Sequence, residues 1–436
     1  MSPRSGLAPE EKLAVAFGRN WRTADYRPEL RAVDGRRFAQ ILCHNRMAVL
    51  GLEILQRSGA QHELAWDALQ ILRQQADEYQ VVGSSLGGAL TTYLELAASR
   101  GIDTIVLKGL WMCDRVYGHP SLRPGSDIDI LVRRGNVSDC LAALREQGIG
   151  AYWPNLLKDA FFARHHLHQQ RSTPDLSVWF EVHWALDHPY TLLTVDYEGI
   201  FGRARPGRLR GAPVMEMSPA DLILTLAIHL VKHAVYLPSV VQREDLARII
   251  LADGMLMYYI DVSESLEKFQ HELDWVGLTA LARSWGMTQG TGSVLRACRE
   301  ILQACVPDEV LAALPLRAQK GVTRWLMERA ANQQLAVHEG RRGSGFWRLL
   351  LSSNGAFILR PIRALEVASY LFPPGEFLRR RYGRADGLTR VRHWLIAVLN
   401  CVRFLSDTLY FGAERYWRLK RAGKRTSLFN RLDTDL

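Results

Sequence analysis

Lys108–Val132 reads KGLWMCDRVYGHPSLRPGSDIDILV, and Ser177–Trp184 answers it with SVWFEVHW. In the first stretch Asp127 and Asp129 alternate with Ile128, Ile130 and Val132, the period-two pattern of a half-buried strand. Residues i and i+2 on a strand share a face, roughly 7 Å apart along the chain. Both carboxylates therefore point one way and the aliphatic residues point into a core. Like charges side by side on a strand are costly unless something neutralises them. A divalent cation answers that cost, because Mg²⁺ takes hard oxygen ligands and keeps positions open for phosphate. In the second stretch Val178, Phe180 and Val182 alternate with Trp179, Glu181 and His183. Glu181 is placed to supply a third carboxylate from a neighbouring strand, with His183 on the same face.

Upstream, Asp103–Leu107 (DTIVL) predicts a short buried strand, followed at once by Lys108-Gly109 and a helix through Tyr117. A glycine at a strand-to-helix turn lets phosphate approach the backbone, and a helix N-terminus offers free N–H groups. Lys108 adds a point charge. Gly118–Gly125 (GHPSLRPG) is a Pro/Gly loop expected to carry Arg123 towards the acids. Val137–Gln147 predicts an amphipathic helix behind the Asp strand.

The order is strand, Lys-Gly turn, helix, Asp-x-Asp strand, helix, strand with Glu. It resembles the nucleotidyltransferase superfamily of DNA polymerase beta and kanamycin nucleotidyltransferase. In detail the chain is similar to a bacterial nucleotidyltransferase family found in several biosynthetic clusters, on Lys108, Gly109, Tyr117, Arg123, Ser126, Asp127, Asp129, Glu181, His183 and Trp184. The resemblance runs from about His44 to the helical region after Asp245. It implies an α+β fold: a small mixed sheet with flanking helices, plus N-terminal and C-terminal helical regions. It further implies catalytic and metal-binding roles for Asp127, Asp129 and Glu181, with Mg²⁺ or Mn²⁺ as cofactor. Lys108, Gly109, Arg123, Ser126 and His183 would bind a nucleoside triphosphate, ATP foremost. The superfamily turn usually carries Gly-Ser or Gly-Gly, whereas Leu110 follows Gly109 here, so Lys108 or Arg123 is expected to substitute in holding phosphate. The implied reaction moves a nucleoside monophosphate to an unidentified acceptor and releases pyrophosphate. Two other readings share these residues: a catalytically silent binding protein, and a toxin-type transferase acting on tRNA or protein.

The 436 residues suffice for two or three domains, and 48% hydrophobic content supports a substantial core. They are expected to divide into an N-terminal helical region (1–101), a catalytic core (102–215), a helical domain covering the cleft (216–338) and a basic, aromatic-rich helical region (339–436). Six scattered cysteines form no CxxC pair, which points to a reducing cytoplasm; Cys298 and Cys305 read as small apolar helix residues. The N-terminus lacks a secretory hydrophobic run, and no stretch reaches the roughly 18 apolar residues of a membrane helix. The net charge is +10, and Glu376–Leu436 carries 14 Lys+Arg against 6 Asp+Glu. A solvated helical surface is the first reading of that surplus, and an anionic partner such as RNA, a carrier protein or a membrane surface is the second.

Phe38–Leu55 and Leu64–Ala98 show helical spacing, punctuated by Gly59 and Gly101. His44 on the first reads as a half-buried packing residue. His165, His166 and His168 lack the spacing of a familiar zinc site and are expected on a solvated loop or helix face. Ser218-Pro219 with Asp221 starts a helix that places His229 and His233 on one face, where they either line the cleft or pack. Helices are expected from Val262 to Leu335, at Phe346–Leu371 and at Val391–Trp417, with a polar break at Glu339–Ser344.

Overall fold

The fold is described by a computed structural model for residues 6–151, 159–189, 191–233, 243–316 and 370–421. In chain order the main elements are α1 (Pro9–Asn20), α2 (Gly35–His44), α3 (Ala48–Ser58), α4 (Trp66–Ser99), β1 (Thr104–Val106), α5 (Leu110–Met112), β2 (Ile128–Val132) and α6 (Val137–Glu146). Then come β3 (Gly150–Ala151), α7 (Asp159–His165), β4 (His168–Ser172), β5 (Trp179–His183), α8 (Tyr197–Arg203), β6 (Arg205–Leu209) and β7 (Ala212–Glu216). Helices follow: α9 (Pro219–His233), α10 (Arg243–Ala252), α11 (Leu256–Lys268), α12 (Trp275–Trp285), α13 (Thr288–Leu302), α14 (Asp308–Ala313), α15 (Gly375–Tyr382) and α16 (Gly387–Arg421). The fold is α+β, as the sequence implied.

The seven strands form one mixed sheet in the order β3-β4-β5-β2-β1-β7-β6. β2 runs antiparallel to β1 and parallel to β5, with Asp129 opposite Glu181. All five β2 residues are buried, so the strand is covered on both faces. Against one face pack α4 and α6: the Tyr93 ring of α4 lies 5.5 Å from Phe180, and its hydroxyl contacts Thr104 and Cys140. Each large apolar side chain so buried stabilises the fold by about 1.5–3 kcal/mol. Towards the other face, Thr225, Leu226, His229 and Lys232 of α9 share a cavity lining with Asp129. One apolar cluster runs from Leu13 to Leu314 through the early helices, the sheet and the later helices.

Local chemistry fixes the ends that matter. Gly59 (φ +70°) and Gly101 (φ +67°) end their segments in the left-handed region, as glycine permits. Ser218 starts α9 as expected: its hydroxyl accepts from Asp221 N–H at 3.2 Å and donates to the Asp221 carboxylate at 2.6 Å. The helix expected over Phe38–Leu55 is instead two, broken at buried Asn45. Its side-chain amide donates to Ile41 O and Leu251 O, and its oxygen accepts from Leu256 N–H, so a polar pin replaces helix continuity. His44 is exposed, with Nε2 2.8 Å from Ala252 O.

β6 and β7 form a two-stranded hairpin whose tip, Arg210-Gly211, has φ +52° and +87°. Positive φ at both central residues is the hairpin geometry matched to strand twist. All six cysteines are free; Cys298 is buried on α13, but Cys305 lies beyond that helix and is exposed. Among the described residues no helix is long and apolar enough to cross a membrane. The expected helix around Val322–Ala331, the break at Glu339–Ser344 and nearly all of the Phe346–Leu371 segment lie outside the described residues.

Candidate active site

The site is built where β1 ends and β2 begins, beside Glu181 on β5. β1 delivers Lys108 and Gly109 immediately after Leu107, whose N–H is held by Asp129 O at 3.0 Å. Gly109 adopts φ +61°, ψ −114°. A side chain there would find room, with Asp127 O at 3.8 Å the nearest atom, so the backbone angle and not space requires glycine. Beyond it the chain forms one helical turn, Leu110–Met112, then widens into a π-helical turn, Cys113–Tyr117. Such wide turns recur near functional sites.

β2 and β5 bring the acids together. Asp127, Asp129 and Glu181 each offer a carboxylate oxygen within 4.8 Å of the others. Lys108 Nζ lies 3.1 Å from Asp129 Oδ2. His183 Nε2 lies 3.2 Å from Asp129 Oδ1 and 3.4 Å from Glu181 Oε2. Gln170 on β4 donates to Glu181 at 2.8 Å, and exposed Ser126 donates to Asp127 at 3.2 Å. The three acids thus meet on one face, and Asp127 is the one with no cation in salt-bridge contact among the described residues.

The electrostatics follow from that arrangement. Burial alone would raise Asp129, but Lys108 and the His183 hydrogen bond outweigh it and lower its pKa to about 2. Glu181 is likewise lowered to about 2, burial being overcome first by His183 and then by Gln170 and Lys108. Asp127 moves the other way: burial and the neighbouring Asp129 charge raise it. Burial would depress His183 and Lys108, yet the carboxylates raise both. Lys232 is lowered, chiefly by burial.

A cavity of about 30 Å³ lies against Asp129, lined by Leu107, Lys108, His183, Leu186, Thr225, Leu226, His229 and Lys232. That volume admits an ion or one or two waters. His229 therefore lines the cleft, with its ring 5.0 Å from Tyr258. The His233 side chain lies outside what is described.

This chain belongs to a nucleotidyltransferase family. Residues 31–303, more than half of the protein, match the family described as uncharacterised nucleotidyltransferase. No curated protein and no solved structure matches the chain. The matched span takes in β1, β2 and β5, and with them Asp127, Asp129 and Glu181.

Two expectations fail. Arg123 does not face the acids. It is buried, its Nε donates to Asp261 at 2.9 Å, and its Nη2 lies 2.9 Å from the same oxygen at an angle that makes no hydrogen bond. Its guanidinium sits 5.1 Å from the Tyr258 ring. The loop turns Arg123 inward because Asp261, buried on α11, needs a counter-charge. The histidines at 165–168 are not a solvated face either. His165 is buried at the end of α7 with Nε2 2.8 Å from Asp407 on α16. His168 opens β4, directly opposite His183.

Lys232 and His168 were missed as site residues. Lys232 had a signal, a lone charge three residues after His229 on an apolar helix. His168 stood out only as one of a histidine cluster, because HQQRS shows no strand alternation to place it beside Glu181.

Proposed function

We propose that this protein transfers a nucleoside monophosphate from a nucleoside triphosphate to an acceptor hydroxyl, amine or carboxylate, with pyrophosphate leaving. The convergence of Asp127, Asp129 and Glu181 beside Lys108 carries the reading. Three buried or half-buried carboxylates against Lys108 and a His183 shared between two of them form a site short of positive charge. That is the condition a hard dication and a triphosphate satisfy together. The donor set fits: all-oxygen, mutually close, and with one member, Asp127, pushed towards protonation by burial and by its neighbour Asp129. Kinship with the DNA polymerase beta superfamily belongs to the same proposal.

A divalent cation held by Asp127, Asp129 and Glu181, Mg²⁺ or Mn²⁺, would supply charge neutralisation at the α-phosphate and lower the pKa of the acceptor. The protein's own groups do the rest. Ser126 is exposed beside Asp127, so the triphosphate approaches from that side. Lys108 shares its ammonium between Asp129 and the incoming phosphate oxygens as a point charge. Gly109, by its backbone angle, lets a phosphate come close to the chain. His183 holds Asp129 and Glu181 in place through one nitrogen. As the acceptor–phosphorus bond forms and the bond to pyrophosphate breaks, the acceptor proton leaves to Glu181 or to solvent. In this reading residues 102–215 carry the chemistry and 216–338 cover the cleft through α9. Arg123 supports the covering helix α11 and has no phosphate role.

Incubation with each α-³²P nucleoside triphosphate, Mg²⁺ or Mn²⁺, and cell lysate as acceptor source tests the proposal. Label in protein, RNA or a small molecule that disappears in Asp129→Ala supports it and names the acceptor class. Absence of label, together with nucleotide binding that ignores both Mg²⁺ and Asp129→Ala, overturns it in favour of a silent binding protein.

A further inference from the structure

Glu181 belongs to two clusters. On one side stand Asp127 and Asp129. On the other stand His168 and His183, brought face to face by the antiparallel pairing of β4 with β5. His168 Nδ1 lies 3.5 Å from Glu181 Oε2, and His183 Nε2 lies 3.4 Å from the same oxygen. The two imidazole rings are 4.7 Å apart between centroids. One ligand atom from each of the three residues lies within 4.8 Å of the others. Around a tetrahedral zinc ion with bonds of about 2.0–2.1 Å, neighbouring ligand atoms stand about 3.3–3.4 Å apart. Two of the three edges here, at 3.4 and 3.5 Å, lie close to that length.

The hydrogen bonding points the same way. His183 Nδ1 lies 3.3 Å from Ala185 O. Donation there fixes the ring, as backbone carbonyls do for ligating histidines elsewhere, and leaves Nε2 beside Glu181 as the ligand atom once a metal displaces its proton. His168 Nδ1 is buried and makes no hydrogen bond among the described residues. A buried ring nitrogen left so is costly, and an ion is one of the few things that repays it. Gln170 holds the other Glu181 oxygen, Oε1, leaving Oε2 to the histidines.

We propose that His168, Glu181 and His183 form a second metal site, an N₂O set for a borderline transition-metal dication, zinc foremost, sharing Glu181 with the all-oxygen cluster. The chemistry of the donors separates the two sites: imidazole selects zinc and its neighbours, whereas carboxylates alone suit Mg²⁺ or Mn²⁺. Lys232 near this site opposes any cation, and the surplus of carboxylates over Lys108 and Lys232 offsets it. The inference goes beyond nucleotide transfer, since it rests on ligand geometry and not on the reaction.

Chelator-stripped full-length protein is titrated with Co²⁺, read by its visible ligand-field bands, and with Zn²⁺ by competition against a chromophoric chelator. One tight site per chain is expected. His168→Ala should weaken Zn²⁺ by more than the roughly 10–100-fold that an outer-shell partner is worth, while Asp127→Asn changes it less than about threefold. X-ray absorption on the zinc-loaded wild type should count two imidazoles, a readout that needs no variant to fold. No Co²⁺ band, fewer than two imidazoles, or loss of zinc in Asp127→Asn as complete as in His168→Ala would each overturn the site. Mg²⁺-dependent ATP binding, measured on the same preparations, separates this failure from failure of the transferase reading.

Discussion

Two charged clusters lie a short way apart in this molecule, and they are solved in opposite ways. Around Arg123 the charges match one to one. Arg123 and Asp261 are both buried, the Tyr117 hydroxyl donates to Asp261 at 2.9 Å, and the remaining guanidinium contact goes to Pro124 O. Around Asp129 they do not match. Three carboxylates crowd together, Lys108 pairs with one of them, and His183 is shared between two. A buried pair whose charges match is a structural joint. A cluster that retains surplus charge after folding is held in reserve for a ligand. Charge balance, more than residue type, therefore separates the two.

The sharpest way to break this contrast is to remove one partner from each cluster. Asp129→Ala should lower nucleotide transfer by about 10⁴-fold, roughly 5.5 kcal/mol of transition-state stabilisation, measured as the initial rate of label incorporation. Arg123→Met should act on folding, costing about 3–5 kcal/mol in denaturant titrations because Asp261 is left buried and unpaired. The double variant Arg123→Met/Asp261→Leu should recover most of that loss. If Arg123→Met instead kept full stability and lost activity, Arg123 would hold phosphate and the contrast would fail.

Smaller effects sharpen the comparison. Asp127 is raised by burial and by Asp129, so its ionised form works against the fold at neutral pH. Asp127→Asn should therefore raise the melting temperature of the metal-free protein while removing Mg²⁺-dependent ATP binding. A fall in melting temperature would show that the carboxylate is structural. His183 has a folded pKa raised above its usual 6.5, burial being outweighed by Asp129 and Glu181. Its protonated form stabilises the fold, fully so below about pH 6.5, and that contribution is lost as pH rises through the folded value. Melting curves of the metal-free protein should decline over that range, and the decline should flatten in His183→Asn.

The acid face was legible because strand alternation is a local signal. Asp127, Asp129 and Glu181 declare their faces by their apolar neighbours, and the Lys108-Gly109 turn by its place after DTIVL. What was not legible depended on partners far along the chain. Arg123 sits in a Pro/Gly loop whose direction is decided by Asp261, 138 positions away. His168 lies on a strand of polar residues that pairs only because β5 offers an open edge. The hairpin from Arg205 to Glu216 hides its strands behind prolines and glycine, and only its Arg210-Gly211 tip carries a turn signature.

The pairing of β2 with β5 has one last consequence. Asp129 stands opposite Glu181, with Ile128 opposite Phe180 and Ile130 opposite Val182. A slip of a single position would drive a carboxylate into the aliphatic layer and push isoleucine out towards water. Assembly of the sheet thus proofreads the chemistry: a molecule that completes its core has, by the same act, aligned its acids.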